Sequence, residues 1–143
     1  MSERKRGQCL CGNVHYEVSV ADEHYTTCHC SMCRRWSGGP FMCVHASGDD
    51  VTWLNDTGLR WYRSSDWAER GFCATCGTSL FYRLADNHDA MLIVSVDSMD
   101  DSAGITLAQH IFVDHQPDRY AFADDAPRKT EAEVLAEFGV SED

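Results

Sequence analysis

The apolar and polar positions of this chain read mainly as short strands separated by turns. Residues 14–20, VHYEVSV, place Val14, Tyr16, Val18 and Val20 on one face, as a half-buried strand requires. Residues 41–45, FMCVH, form a compact apolar run behind Ser37, Gly38, Gly39 and Pro40, a strong loop signal. Residues 51–54 and 59–62 flank Asn55, Asp56, Thr57 and Gly58 and predict a hairpin. A second hairpin is predicted from residues 80–84 and 91–96, with the turn at 85–89. One helix is expected at about 130–138. Thr130 and Glu133 have the spacing of a capping box, the apolar residues Val134, Leu135 and Phe138 follow, and Gly139 suits the C-terminal stop. The expected fold is a single mainly β domain over residues 1–143, antiparallel in character, with a short C-terminal helix.

Size and composition leave that picture intact. A chain of 143 residues can bury a core without disulfide staples. Its 43% hydrophobic and 24% charged content is that of a folded globular protein. The opening MSERKRGQ has positive charges but no apolar run behind them, and no stretch is long enough to span a bilayer. A cytoplasmic location is therefore the expectation, with no membrane partner. The net charge of −11, from 12 basic and 23 acidic residues, repels phosphate backbones and argues against a nucleic-acid partner. Arg4, Lys5 and Arg6 read as a solvated terminal cluster.

The eight cysteines change the picture most. In a reducing compartment clustered cysteines are metal ligands or catalytic groups more often than disulfides. An extracellular disulfide scaffold is the alternative that the even count allows. Cys73-x-x-Cys76-Gly77 has the form of a zinc knuckle, and Cys9-x-Cys11-Gly12 is its natural partner. Together they predict a closed four-thiolate structural zinc site. A redox role for Cys73-x-x-Cys76 is disfavoured because no βαβ context surrounds it. Cys28, Cys30 and Cys33 are then left as three ligands with a vacant fourth position, the pattern of a catalytic zinc. His29 could close that site, although side chains of adjacent residues diverge; otherwise it supports the ligands or the fold. Arg34 and Arg35 follow the third thiol, either as a positive edge that binds a carboxylate-bearing substrate or as solvated surface residues. Cys43, alone in an apolar run, is expected to be a buried hydrophobe.

These motifs resemble those of the glutathione-dependent formaldehyde-activating enzyme family, also called the centromere protein V family. The resemblance is carried by Gly7-Gln8-Cys9-Leu10-Cys11-Gly12, by residues 28–38 (CHCSMCRRWSG) and by residues 72–80 (FCATCGTSL). The segments around His110-Ile111-Phe112-Val113, Pro117-Asp118-Arg119-Tyr120 and Asp124-Asp125-Ala126-Pro127 are similar to the family's C-terminal part, so the likeness spans roughly residues 7–127. It implies a β-tent fold with two zinc ions: a structural one on Cys9, Cys11, Cys73 and Cys76, and a catalytic one on Cys28, Cys30 and Cys33. It also implies the joining of formaldehyde to glutathione as S-hydroxymethylglutathione, formally a carbon–sulfur lyase reaction. Glutathione is an anion, and Arg34 and Arg35 are the positive charges nearest the triad in sequence. A zinc-stabilised module that binds small thiols or a protein without catalysis is the alternative. A chromatin role is opposed by the acidic charge and by the lack of a long basic arm.

Overall fold

A computed structural model describes residues 3–139. In chain order its elements are β1 (Glu3–Gln8), β2 (His15–Val20), β3 (His24–Cys28), α1 (Ser31–Ser37), β4 (Phe41–Asn55), β5 (Leu59–Arg63), β6 (Ala68–Cys73), β7 (Ser79–Leu84), β8 (Leu92–Ser95), β9 (Thr106–Ile111), β10 (Arg128–Lys129) and α2 (Glu131–Glu137). Single 3-10 turns occupy Val96–Ser98 and Val113–His115. The architecture is mainly β, with the short C-terminal helix that the capping box predicts. The chain divides into two compact units. One holds the residues up to Glu23 together with Cys43–Ile105, the other His24–Met42 together with the residues from Thr106 onward.

In the first unit the strands pair antiparallel in the order β1, β2, β4, β8, β7, β6, β5. The predicted face of β2 points inward: Tyr16 and Val18 are fully buried beside Val44, Leu80, Phe81 and Val94. The Phe81 ring is the centre of this core, with the rings of Tyr16, Trp53 and Trp61 at 5.1, 5.4 and 5.9 Å. Burying a side chain of that size contributes about 2–3 kcal/mol. The hairpin over 80–96 forms as expected, with Phe81 opposite Val94 and Arg83 opposite Leu92.

Two expectations fail here for traceable reasons. The turn at 55–58 forms, with the Thr57 backbone N–H and hydroxyl both on Asn55 Oδ1, but its flanking strands do not pair with each other. The Gly58 N–H donates instead to the Asn13 carbonyl at 3.0 Å, and the Ala74 N–H to the Gly58 carbonyl at 2.7 Å. These bonds draw β5 away from β4 and onto β6. Likewise Arg4, Lys5 and Arg6 are not a loose cluster but the middle of β1, paired with β2. The Arg4 guanidinium binds Asp50 at 2.7 Å and Ser19 and Thr52 at 3.1 Å each.

In the second unit β3 pairs parallel with β9, and β9 parallel with β10. Parallel pairing needs a long crossover, and the excursion through residues 43–105 supplies it. Thr130 accepts from the Glu133 N–H at 3.2 Å while Glu133 accepts from the Thr130 N–H at 3.1 Å, so the capping box closes and α2 starts there. The helix α1, which the strand-and-turn pattern does not predict, grows directly out of the central cysteine motif. Cys30 is its N-cap, its sulfur accepting the Cys33 N–H at 3.2 Å.

Candidate functional site

Cys9 and Cys11 leave the end of β1, Cys73 closes β6, and Cys76 lies in the turn before β7. Their four sulfurs all fall within 4.8 Å of one another. The Cys9–Cys11 and Cys11–Cys73 distances are both 3.7 Å. Four thiolates arranged tetrahedrally at about 2.3 Å from one ion are separated by about 3.8 Å, so the set fits a metal without rearrangement. The loops are shaped for it. Gly12 and Gly77 take φ of 86° and 84°, which permits a tight turn behind each cysteine pair. Backbone N–H groups of Val14 and Cys76 point at the sulfurs of Cys9 and Cys73, at 3.2 and 3.5 Å. The Thr78 hydroxyl, 3.2 Å from Cys76 Sγ, leads the effects that draw that thiol down to about 5. Cys11 is pushed up to about 12: the Asn13 N–H favours its thiolate, but burial and the adjoining sulfurs outweigh it. Crowded thiols that suppress each other's ionisation are what a divalent cation relieves.

The second cluster is built by the junction of β3 and α1. Cys28 ends the strand, Cys30 caps the helix and Cys33 lies in its first turn, with sulfurs within 4.8 Å of one another. Cys28 and Cys33 are both 6% exposed. Sulfur contacts with Cys30 and Cys33, then burial, push the Cys28 thiol up in the absence of a cation. This set also fits a metal ion, with three donors rather than four among the described residues. His29 is not one of them. Its side chain is fully buried and bonded elsewhere, as the divergence of adjacent side chains leads one to expect. Cys43 is buried in β4 as expected.

The two arginines behave differently from each other. Arg34 donates from Nε to the His29 carbonyl at 3.0 Å and from Nη2 to the His115 carbonyl at 3.1 Å, bracing the backbone beneath the triad. Arg35 is exposed.

Beneath the triad runs a line of side chains that spacing does not reveal. Tyr120 Oη lies 2.8 Å from His29 Nδ1, and His29 Nε2 lies 2.8 Å from His110 Nδ1. His110 Nε2 lies 3.0 and 3.1 Å from the two oxygens of Asp124. His110 is 1% exposed. The Phe122 ring stands edge-on to both imidazoles, at 5.4 and 4.8 Å. Burial, then the neighbouring His110, pulls His29 down to about 4, so it is neutral at physiological pH. Desolvation opposes ionisation of Asp124, but the hydrogen bonds from His110 and the Ala126 N–H hold its carboxyl below the usual carboxylate range. The sequence offers His110, Tyr120 and Asp124 only as parts of a resembling segment. They lie 81 and 91 residues from His29 in the first two contacts and 14 from His110 in the third, and no local motif joins them.

A third group, Asp114, His115 and Glu131, also has ligand atoms within 4.8 Å. There His115 Nε2 meets Glu131 at 3.0 Å and Asp114 accepts the Glu131 N–H at 2.9 Å, so the trio fastens the start of α2.

A β-rich protein with two cysteine clusters, each able to hold a metal ion, is the class that fold and geometry define. Residues 4–115 match the family described as glutathione-dependent formaldehyde-activating enzyme, and the chain belongs to that family. A Schizosaccharomyces pombe protein named as an uncharacterized lyase is 30% identical over 129 residues, spanning 90% of this chain and 93% of its own. The crystal structure of a Rhodobacter sphaeroides protein shares the fold, with a TM-score of 0.57 and 24% identity, over 72% of this chain and 99% of that one. Among the described residues no helix is long and apolar enough to cross a membrane.

Proposed function

We propose that this chain is a zinc-dependent carbon–sulfur lyase of the cytoplasm acting on a thiol adduct, joining glutathione and formaldehyde as S-hydroxymethylglutathione. The observation that carries this is the contrast between the two clusters within a chain of this family: four sulfurs gathered in one, three in the other. Four thiolates close a tetrahedral coordination sphere and serve a structural zinc on Cys9, Cys11, Cys73 and Cys76. Three thiolates leave one position for an outside ligand on a zinc held by Cys28, Cys30 and Cys33. Zinc bound there supplies Lewis acidity and favours the thiolate form of a bound thiol.

The protein's own residues do the rest. Cys30 fixes the triad's geometry by capping α1, and Arg34 holds the carbonyl of His29 so that Cys28 and Cys30 keep their directions. Arg35, exposed beside the triad in sequence, and the guanidinium charge of Arg34 offset the negative charge of three thiolates and attract the carboxylates of glutathione. Without them a chain of net charge −11 repels such an anion.

Calorimetric titration of glutathione into the zinc-loaded protein tests this, with the Cys30→Ser variant as the control. Heat with the wild type and none with Cys30→Ser is the expected outcome. Heat in neither refutes glutathione as the ligand. Binding without acceleration of hemithioacetal formation beyond the spontaneous rate, read by exchange NMR, makes the protein a thiol-binding module instead.

A further inference from the structure

Every polar atom of His29 is engaged. Its backbone N–H donates to the Ile111 carbonyl at 3.0 Å, and its own carbonyl accepts from Arg34 Nε at 3.0 Å. Its two ring nitrogens lie 2.8 Å from Tyr120 Oη and 2.8 Å from His110 Nδ1. Three of these partners, His110, Ile111 and Tyr120, belong to one stretch of chain. The fourth, Arg34, reaches the same stretch through the His115 carbonyl at 3.1 Å. His29 is fully buried within this clamp.

The stretch is bent to make these contacts. Phe112 takes φ of 56°, the left-handed region that a bulky side chain adopts only at a cost. It stands between Ile111, which receives the His29 N–H, and the turn Val113–His115, which receives Arg34. Gln116, at the end of that turn, donates from Nε2 to the Tyr120 carbonyl at 2.9 Å. The residue whose phenol meets His29 is thereby tied to the turn that Arg34 holds.

His29 is the link between two of the triad's donors. Cys28 ends β3 and Cys30 caps α1, with His29 alone between them. Consecutive Cα atoms are about 3.8 Å apart, so a His29 fixed at backbone and ring fixes where both cysteines leave the chain. Three donors give a metal fewer bonds than four, so more of their affinity comes from being held in place beforehand.

We infer that Tyr120 is a positioning residue of the triad: through His29 it keeps Cys28 and Cys30 set for one metal ion and raises the zinc affinity of Cys28, Cys30 and Cys33. This rests on the reading of the triad as a zinc site and adds the part of the chain that holds it ready. Tyr120→Phe isolates the effect, because it removes the hydroxyl and keeps the ring, whose centroid lies 5.7 Å from that of His29.

Competition of the zinc-loaded protein against a chromophoric chelator counts the bound ions and ranks their affinities. The wild type should hold two zinc ions per chain and Cys30→Ser one, which assigns the missing ion to the triad. Tyr120→Phe should hold both, with the triad zinc bound about tenfold more weakly, the lower end of what removing a group that orients metal ligands costs. The zinc on the four-cysteine cluster should keep its wild-type affinity. A loss of stability that leaves nearly all of the protein folded does not change the zinc affinity of the folded state, so a phenol with a purely structural role would leave both values in place. Wild-type triad affinity in Tyr120→Phe, or an equal loss at both clusters, overturns the positioning role and leaves the zinc reading of the triad standing. A single zinc in both the wild type and Cys30→Ser overturns that reading and the inference with it.

Discussion

His29 Nε2 lies 2.8 Å from His110 Nδ1, and both rings are buried. This bond joins β9 to the chain just after β3, so it fixes His29, the residue between Cys28 and Cys30.

Replacing His110 with leucine removes the hydrogen-bond partner of both His29 and Asp124 at once. The buried His29 Nε2 is left unpaired, at a cost of about 1–3 kcal/mol. Chemical denaturation of the metal-loaded protein should show a loss of this size. An unchanged midpoint would mean that the line contributes nothing to folding.

The Asp124 carboxyl titrates below the ordinary aspartate value of about 3.9. A depressed folded value means that the group favours the folded state at neutral pH, and that this contribution is lost as the pH falls through the folded value. Carbon-detected NMR should find Asp124 still mostly ionised at about pH 3.9, where an unperturbed aspartate is half protonated. In His110→Gln, which lacks the imidazole donor, its titration should move upward.

The two cysteine clusters should fail differently. Cys73→Ser opens the four-sulfur cluster that joins β1 to β6 and should cost more than about 4 kcal/mol, the range reached when a structural metal is lost. Cys30→Ser should halve the zinc content and leave the circular dichroism spectrum and the melting temperature nearly unchanged. Mass spectrometry of the metal content, paired with thermal melts, separates the two. Equal collapse in both variants would assign the triad a structural role.

Thr130→Ala breaks the capping box of α2 and should destabilise the helix by about 1 kcal/mol. Backbone amide exchange over residues 131–137 reads this locally. Protection equal to that of the wild type would mean that packing of Val134, not the cap, holds the helix.

What could be read in advance follows the range of the forces involved. The face of β2, the 80–96 hairpin and the capping box rest on neighbours a few residues apart, and each appears in the structure. The two cysteine groupings were legible because chelation imposes short spacings within each motif, and only the pairing of Cys9 and Cys11 with Cys73 and Cys76 needed inference. β1 escaped notice because its residues are polar and its place is set by pairing with β2 and by Arg4 on Asp50. α1 was hidden by turn-forming residues, since a cysteine N-cap is not a usual helix start. The line from His29 to Asp124 depends on β9 lying parallel to β3, a pairing across some eighty residues that no local pattern encodes.

Cobalt substitution tests the central claim most directly. With Co²⁺ in both clusters, added glutathione should shift the ligand-field bands of the wild type, as an outside thiol joins Cys28, Cys30 and Cys33. The Cys30→Ser protein, retaining cobalt only on Cys9, Cys11, Cys73 and Cys76, should show no shift. A wild-type spectrum unmoved by saturating glutathione would contradict an open, thiol-binding metal site on the triad.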